Sequence, residues 1–135
     1  MATAPTPPIE TEQNTARIAQ LNDAARHQRL KNSRTVFTRN LLATLIDDSL
    51  PADQQALRRV LIQSALLHKM ATAEFTADND PHGEHDFGQL EYDGHKIFWK
   101  IDVYENDGSL QWGAAKPWDE TSSYRIVTLM LASDY

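Results

Sequence analysis

The stretch DNDPHGEHDFG, residues 78–88, sets two histidines and two glycines among four acidic residues. Three chemistries use these residue types. A calcium loop needs oxygen ligands at alternating positions around a sharp glycine turn, and Asp78, Asp80 and Gly83 begin that pattern. It fails at the fifth position, where His82 offers an imidazole, and at the twelfth, where Gln89 replaces a bidentate glutamate. A transition metal would find nitrogen and oxygen donors in His82, His85, Glu84 and Asp86. His-x-x-His in a loop is nonetheless a weak motif, and neighbouring strand residues point to opposite faces. No metal and no cofactor is therefore expected.

The third chemistry is general acid–base catalysis. Tyr92 and His95 flank Asp93-Gly94, a dipeptide that suits a two-residue hairpin turn, and the register that follows puts Glu91 opposite Lys96, Leu90 opposite Ile97 and Gly88 opposite Trp99. Continued to its end, the same pairing sets His85 across from Asp102. A carboxylate there would orient the ring, leaving its second nitrogen as a base, with Lys100 stabilising negative charge and Glu84 or His82 supplying an acid. The catalytic candidates are thus His85, Asp102, Lys100 and Glu84. Against them stands a plainer reading, in which Asp80 or Asp86 accepts backbone N–H groups in the turn and His85 pairs with Asp102 to fix the strand's start. The chain offers no serine or cysteine in a glycine elbow, no phosphate-binding glycine loop and no H-E-x-x-H helix. A structural or binding role is favoured over catalysis.

The elements that must hold these residues fit one domain. A chain of 135 residues with 41% hydrophobic and 24% charged composition suits a single compact core. No cysteine is present, so no disulfide or thiolate chemistry is available. No apolar run reaches the ~18 residues of a membrane span, and the first residues lack a basic start and an apolar core; no membrane association and a cytoplasmic location are expected. Met1 to Gln13 has three prolines among its first eight residues and is expected to be a disordered tail, followed by a single domain over 14–135.

Asn14 or Thr15 is expected to cap a helix to about Lys31, with Ile18, Leu21, Ala25 and Leu30 along one side. Arg34 to Thr38 reads as a short strand, and Leu41, Leu42, Leu45 and Ile46 as a helical turn or two. From Pro51 to Met70, Leu57, Val60, Leu61, Ala65 and Leu67 or His68 recur at helical spacing. After Met70 the period changes. Phe87–Tyr92 and His95–Tyr104 form the hairpin, with Leu90, Ile97, Trp99, Ile101 and Val103 on its core side and the Trp99 indole lying across Gly88. Asn106-Asp107-Gly108 is expected to turn the chain back through Leu110 and Trp112 as a meander. Tyr124 to Ala132, apolar at nearly every position, suits a central strand covered on both faces. The expected fold is α+β: two main helices on one face of an antiparallel sheet of four or five strands.

Charge is unevenly spread. Residues 1–70 carry a net +3 and residues 71–135 a net −9 within a total of −6. Arg26, Arg29, Lys31, Arg34 and Arg39 occur without an acidic residue between them, the one segment where nucleic acid could be held. Overall acidity and the lack of interleaved aromatics argue against that partner. The outer side of the hairpin mixes rings with charges in Phe98, Lys100, Asp102 and Tyr104, and with His82 from the loop these are the expected binding residues.

FTADNDPHGEHDFGQLEYDGHKIFWKIDVYE and the later RIVTLMLASDY, with ARIAQLNDAAR and TVFTR before them, resemble a family of small bacterial proteins of unknown function often met on plasmids and prophages. NDPHGEHDFG and FWKID carry the resemblance. It brings no activity, cofactor or catalytic residue. The connection after FWKIDVY is longer here than in that family and is expected to vary without touching the core. Two functions are left by these observations. One is an accessory factor that binds a host or mobile-element protein, such as a mobile-element inhibitor of a host defence system of CRISPR or restriction type. The other is a small hydrolase or nuclease using His85, Asp102 and Lys100.

Overall fold

The computed structural model describes residues 8–135. The order of elements is α1 (Pro8–Arg26), β1 (Ser33–Phe37), α2 (Arg39–Leu45), α3 (Ala52–Ala71), β2 (Phe87–Tyr92), β3 (His95–Glu105) and β4 (Ser123–Leu131), closed by a 3-10 turn at Ala132–Asp134. Helices and a four-stranded sheet make an α+β fold. Among the described residues, no helix is long and apolar enough to cross a membrane.

The helix boundaries differ from those expected. Of the tail foreseen over 1–13, residues 1–7 lie outside the described residues, while 8–13 already belong to α1. The helix stops at Arg26 rather than Lys31. Gln28 takes φ +57°, its N–H reaches the Ala25 carbonyl at 3.0 Å, and the Arg29 N–H reaches that of Ala24 at 2.8 Å. This pair of bonds is a Schellman stop built on glutamine instead of glycine, which hides it from a glycine search. Ile18, Leu21 and Ala25 are buried as their spacing implies.

The sheet order is β1-β4-β3-β2. It is mixed, not wholly antiparallel: β1 runs parallel to β4, Ser33 beside Arg125 and Phe37 beside Leu129. The hairpin pairs as its turn dictates, from Tyr92 with His95 to Phe87 with Lys100. Asp93 and Gly94 take the φ values of +50° and +77° that a type I′ turn needs. The expected meander does not form. Leu110 adopts φ +55°, and the segment after β3 is a loop that bridges at Gly113 to Tyr104 and gives Ala114 N–H to the Val103 carbonyl at 3.0 Å. That loop covers the part of the β3 edge lying beyond β2, where unpaired backbone groups would otherwise invite strand pairing.

One face of the sheet carries the core: Ile97, Trp99 and Ile101 of β3 and Val127, Leu129 and Leu131 of β4 pack against Ala25, Leu41, Ile46, Ile62, Leu66 and Met70. The inward stripe of α3 is thus Ile62-Leu66-Met70. It is not the stripe expected from Leu57, Val60 and Leu61, which are 60%, 58% and 54% exposed. Both stripes have helical spacing, so periodicity identifies the helix but not which side meets the sheet. The strand β4 is central, and its outer side is covered only at one end: Tyr124, Ile126 and Thr128 are half-buried, while Met130 on the same side is buried.

Candidate functional site

The loop between α3 and β2 is closed by its own side chains. Asn79 Oδ1 accepts the Thr76 N–H at 2.8 Å, and its amide donates to the Glu74 carbonyl at 3.0 Å. Asp80 then accepts the His85 N–H at 3.3 Å, across a turn whose Gly83 has φ +71°. Sequence reasoning foresaw this turn-forming role of Asp80.

It misplaced the ring of His85. The residue itself takes φ +57°, a left-handed conformation uncommon in non-glycine residues. Pairing along the hairpin ends just there, with the Ile101 N–H bonding the Asp86 carbonyl at 2.8 Å. The imidazole consequently turns to the helix side. Its Nδ1 lies 3.0 Å from Asp23 Oδ1 of α1, its Nε2 lies 3.5 Å from Asp80 Oδ2, and its plane stacks on Phe75 with centroids 4.0 Å apart. Asp102 and Lys100 point from the opposite face and pair with each other at 3.0 Å. The expected His85–Asp102–Lys100 cluster is therefore divided between two sides of the sheet. With a carboxylate near each ring nitrogen, His85 ties α1 to the loop.

Beside it lies a buried polar network that the sequence reading did not find. Arg125, fully buried in β4, donates from Nε to Asn22 Oδ1 at 2.6 Å, from Nη1 to Ser123 Oγ at 3.0 Å and from Nη2 to the Pro117 carbonyl at 2.5 Å. Asn22 in turn donates to the Glu84 carbonyl at 2.8 Å. Burial pushes the Arg125 guanidinium down to about 10, which leaves it charged at neutral pH with only neutral acceptors in contact. Arg125 stands directly before the mostly apolar run IVTLML, where a lone cation is either an outward residue or a buried one with a full set of acceptors, and its own segment does not say which.

Arg26, counted among the basic residues available to a phosphate backbone, is instead only 4% exposed. Its Nη1 caps α3 through the Met70 and Ala71 carbonyls at 2.9 and 2.8 Å, Nη2 meets Asp23 at 2.9 Å, and the guanidinium lies 5.2 Å above Phe75. It is a helix cap. Arg29, Lys31, Arg34 and Arg39 stay exposed around β1.

Burial raises the Glu84 carboxyl above its ordinary range, with Asp86 adding repulsion, while His82 beside it is exposed. A carboxyl raised on folding contributes stability that is present in acid and lost as pH rises through its folded value. Glu84→Gln is accordingly expected to raise the melting temperature at neutral pH, an advantage that closes in acid below the ordinary glutamate range; melting curves across that window decide it. His85→Ala removes the stack and both carboxylate contacts and puts alanine at positive φ, so a loss of about 2–3 kcal/mol, roughly 6–15 °C at this chain length, is expected. Asp102→Asn, altering an exposed pair, should shift the midpoint by less than about 2 °C. Equal shifts for the two variants would contradict the division of the cluster.

The outer face has a different character. Helices of the described residues all pack on the other side, and here Phe98, Lys100, Asp102 and Tyr104 of β3 are half-exposed next to Ile126 and Thr128 of β4. Phe87, Phe98 and Tyr135 form a ring cluster with centroids 5.1–5.7 Å apart. The 3-10 turn before Tyr135 is held by Asn40 Nδ2 donating to Asp134 at 2.7 Å. Four of the five expected binding residues thus share one surface, and His82 stands apart on the loop.

This is a helix-on-sheet α+β fold with, among the described residues, helices on one sheet face alone. The chain belongs to the family described as protein of unknown function (DUF3768), whose profile matches residues 46–134, from Ile46 through α3 and all of β2, β3 and β4. The match begins after ARIAQLNDAAR and TVFTR, so Asn22, Asp23 and Arg26 reach into the matched segment from outside it. No curated protein and no solved structure matches the chain.

Proposed function

We propose that this chain is a protein-binding accessory factor that docks its partner on the outer sheet face, through Phe98, Lys100, Asp102 and Tyr104. One observation supports it above the rest: that face has no helix over it among the described residues and sets an aromatic cluster beside a charge pair. Aromatic anchors supply binding energy and flanking charges select the partner. The resemblance to plasmid and prophage proteins directs the choice of partner to a host defence protein, of CRISPR or restriction type, which a mobile element gains by blocking. The competing hydrolase reading draws no support from the geometry, because its histidine and its Lys100–Asp102 pair lie on opposite sides of the sheet.

The test is expression of the chain in hosts carrying a restriction or a CRISPR system, with transformation by a targeted plasmid as the readout. Transformation is expected to rise in one of them. Phe98→Glu and Tyr104→Ala should remove the rise while the protein still melts cooperatively, and His82→Ala should leave it. No rise in either host removes the defence assignment, and a rise untouched by the β3 substitutions removes the face.

A further inference from the structure

We propose that α3 is a self-association surface, pairing antiparallel with α3 of a second copy of this chain across a two-fold axis near residue 60. The side of α3 opposite Ile62-Leu66-Met70 presents Leu57, Val60 and Leu61, each more than half exposed. Large aliphatic side chains clustered at i, i+3 and i+4 on a solvent face are the pattern by which one helix grips another.

Several features select a second copy as the occupant. The stripe continues at helical spacing to Asp53 at one end and through Ser64 to His68 at the other, all exposed. Two such stripes laid antiparallel bring Asp53 of each copy beside the partner's His68, carboxylate to imidazole, at both ends of the pair. A parallel arrangement would set Asp53 against Asp53 instead. The stripe is thus complementary to its own reverse, as a two-fold interface requires. Ser64 is small enough to let the helices approach to the usual 8–10 Å. At helical spacing Arg58 lies to the side of the stripe and Arg59 on the opposite side of the helix, so neither cation sits on the axis. From Ala52 to Val60 only Gln55 is not exposed, so a partner reaches this half of the helix unobstructed.

An interface of standard size buries about 800 Å² on each partner, more than three side chains provide, so the dimer is expected to be weak and concentration-dependent. The test is sedimentation of the full chain from low micromolar to about millimolar concentration. A shift from monomer to dimer is expected, and Leu61→Glu, which removes two leucines from a two-fold interface, should weaken it roughly a hundredfold or more without lowering the melting temperature. Because the chain has no cysteine, orientation is read by cross-linking with a short thiol reagent. Asp53→Cys mixed with His68→Cys should cross-link; Asp53→Cys alone should not. A monomer at every concentration, a dimer indifferent to Leu61→Glu, or Asp53→Cys linking to itself each overturns the proposal. So does a monomer that binds anionic vesicles through the same leucines, which would give the face to a membrane surface.

Discussion

Gly88→Ala is expected to lower stability by about 3 kcal/mol or more, a fall in melting temperature of roughly 9–15 °C at this length. A Cβ built at Gly88 comes within 2.4 Å of Cε2 and Cζ2 of Trp99 and 2.6 Å of its Nε1. The backbone of Gly88 is an ordinary strand conformation, so alanine's difficulty is wholly steric. Trp99 is fully buried, Phe75 meets it edge-on at 6.0 Å, and the Arg26 guanidinium lies 5.9 Å from its centroid. Closely packed interiors transmit such a push instead of absorbing it. If that is the mechanism, Trp99→Phe should rescue Gly88→Ala in part, giving a double variant more stable than the sum of the two single losses. Additive losses, or a Gly88→Ala protein melting within about 2 °C of the wild type, would mean that the indole does not lie over residue 88.

Arg125→Met is the second substitution with a large expected effect, about 2–4 kcal/mol of lost stability. Two contributions oppose each other. Removing a buried cation with no carboxylate in contact relieves a desolvation cost. Removing its fork strands the Asn22 amide oxygen and the Pro117 carbonyl and leaves the Ser123 hydroxyl only its bond to the Asp119 carbonyl, where the guanidinium served all three together. Hydrogen bonds to charged groups are worth about 1.5–3 kcal/mol each, so losing three outweighs the relief. Arg125→Lys should suffer too, because an ammonium on a flexible stem cannot serve three acceptors held in different directions. Chemical denaturation measures both variants, and faster amide exchange from Pro117 to Ser123 would locate the damage. A methionine variant as stable as the wild type would show that desolvation of the arginine cancels its bonds.

These two residues mark how much the sequence reveals. Asp93-Gly94 admits one turn type, and that turn propagates a register strand-long, so the contact of Gly88 with Trp99 and the outward set Phe98, Lys100, Asp102 and Tyr104 were legible from spacing alone. Arg125 was not, because its partners Asn22 and Pro117 belong to distant segments that only tertiary packing unites. His85 failed for a local reason. A single left-handed residue reverses the side to which a chain presents its ring, and nothing in GEHDF announces which residue takes that conformation. The parallel pairing of β1 was equally hidden, since a five-residue strand shows its composition but not its direction. For α3, two apolar stripes of the same spacing competed, and the shape of the sheet below decided between them.

The position of β4 at the centre of the sheet matters for how the chain is made. β1 emerges from the ribosome about ninety residues before the strand it pairs with, an interval of roughly 5–20 s at ordinary rates of synthesis. During that time α1 has no Arg125 to hold, Phe37 has no Leu129 to lie beside, and the backbone of β1 has no neighbour. The β2–β3 hairpin can close as soon as it is complete, but the N-terminal third must wait. The nascent chain therefore spends most of its synthesis with β1 unpaired, and slowing translation just before Ser123 should raise aggregation more than slowing it after Leu131.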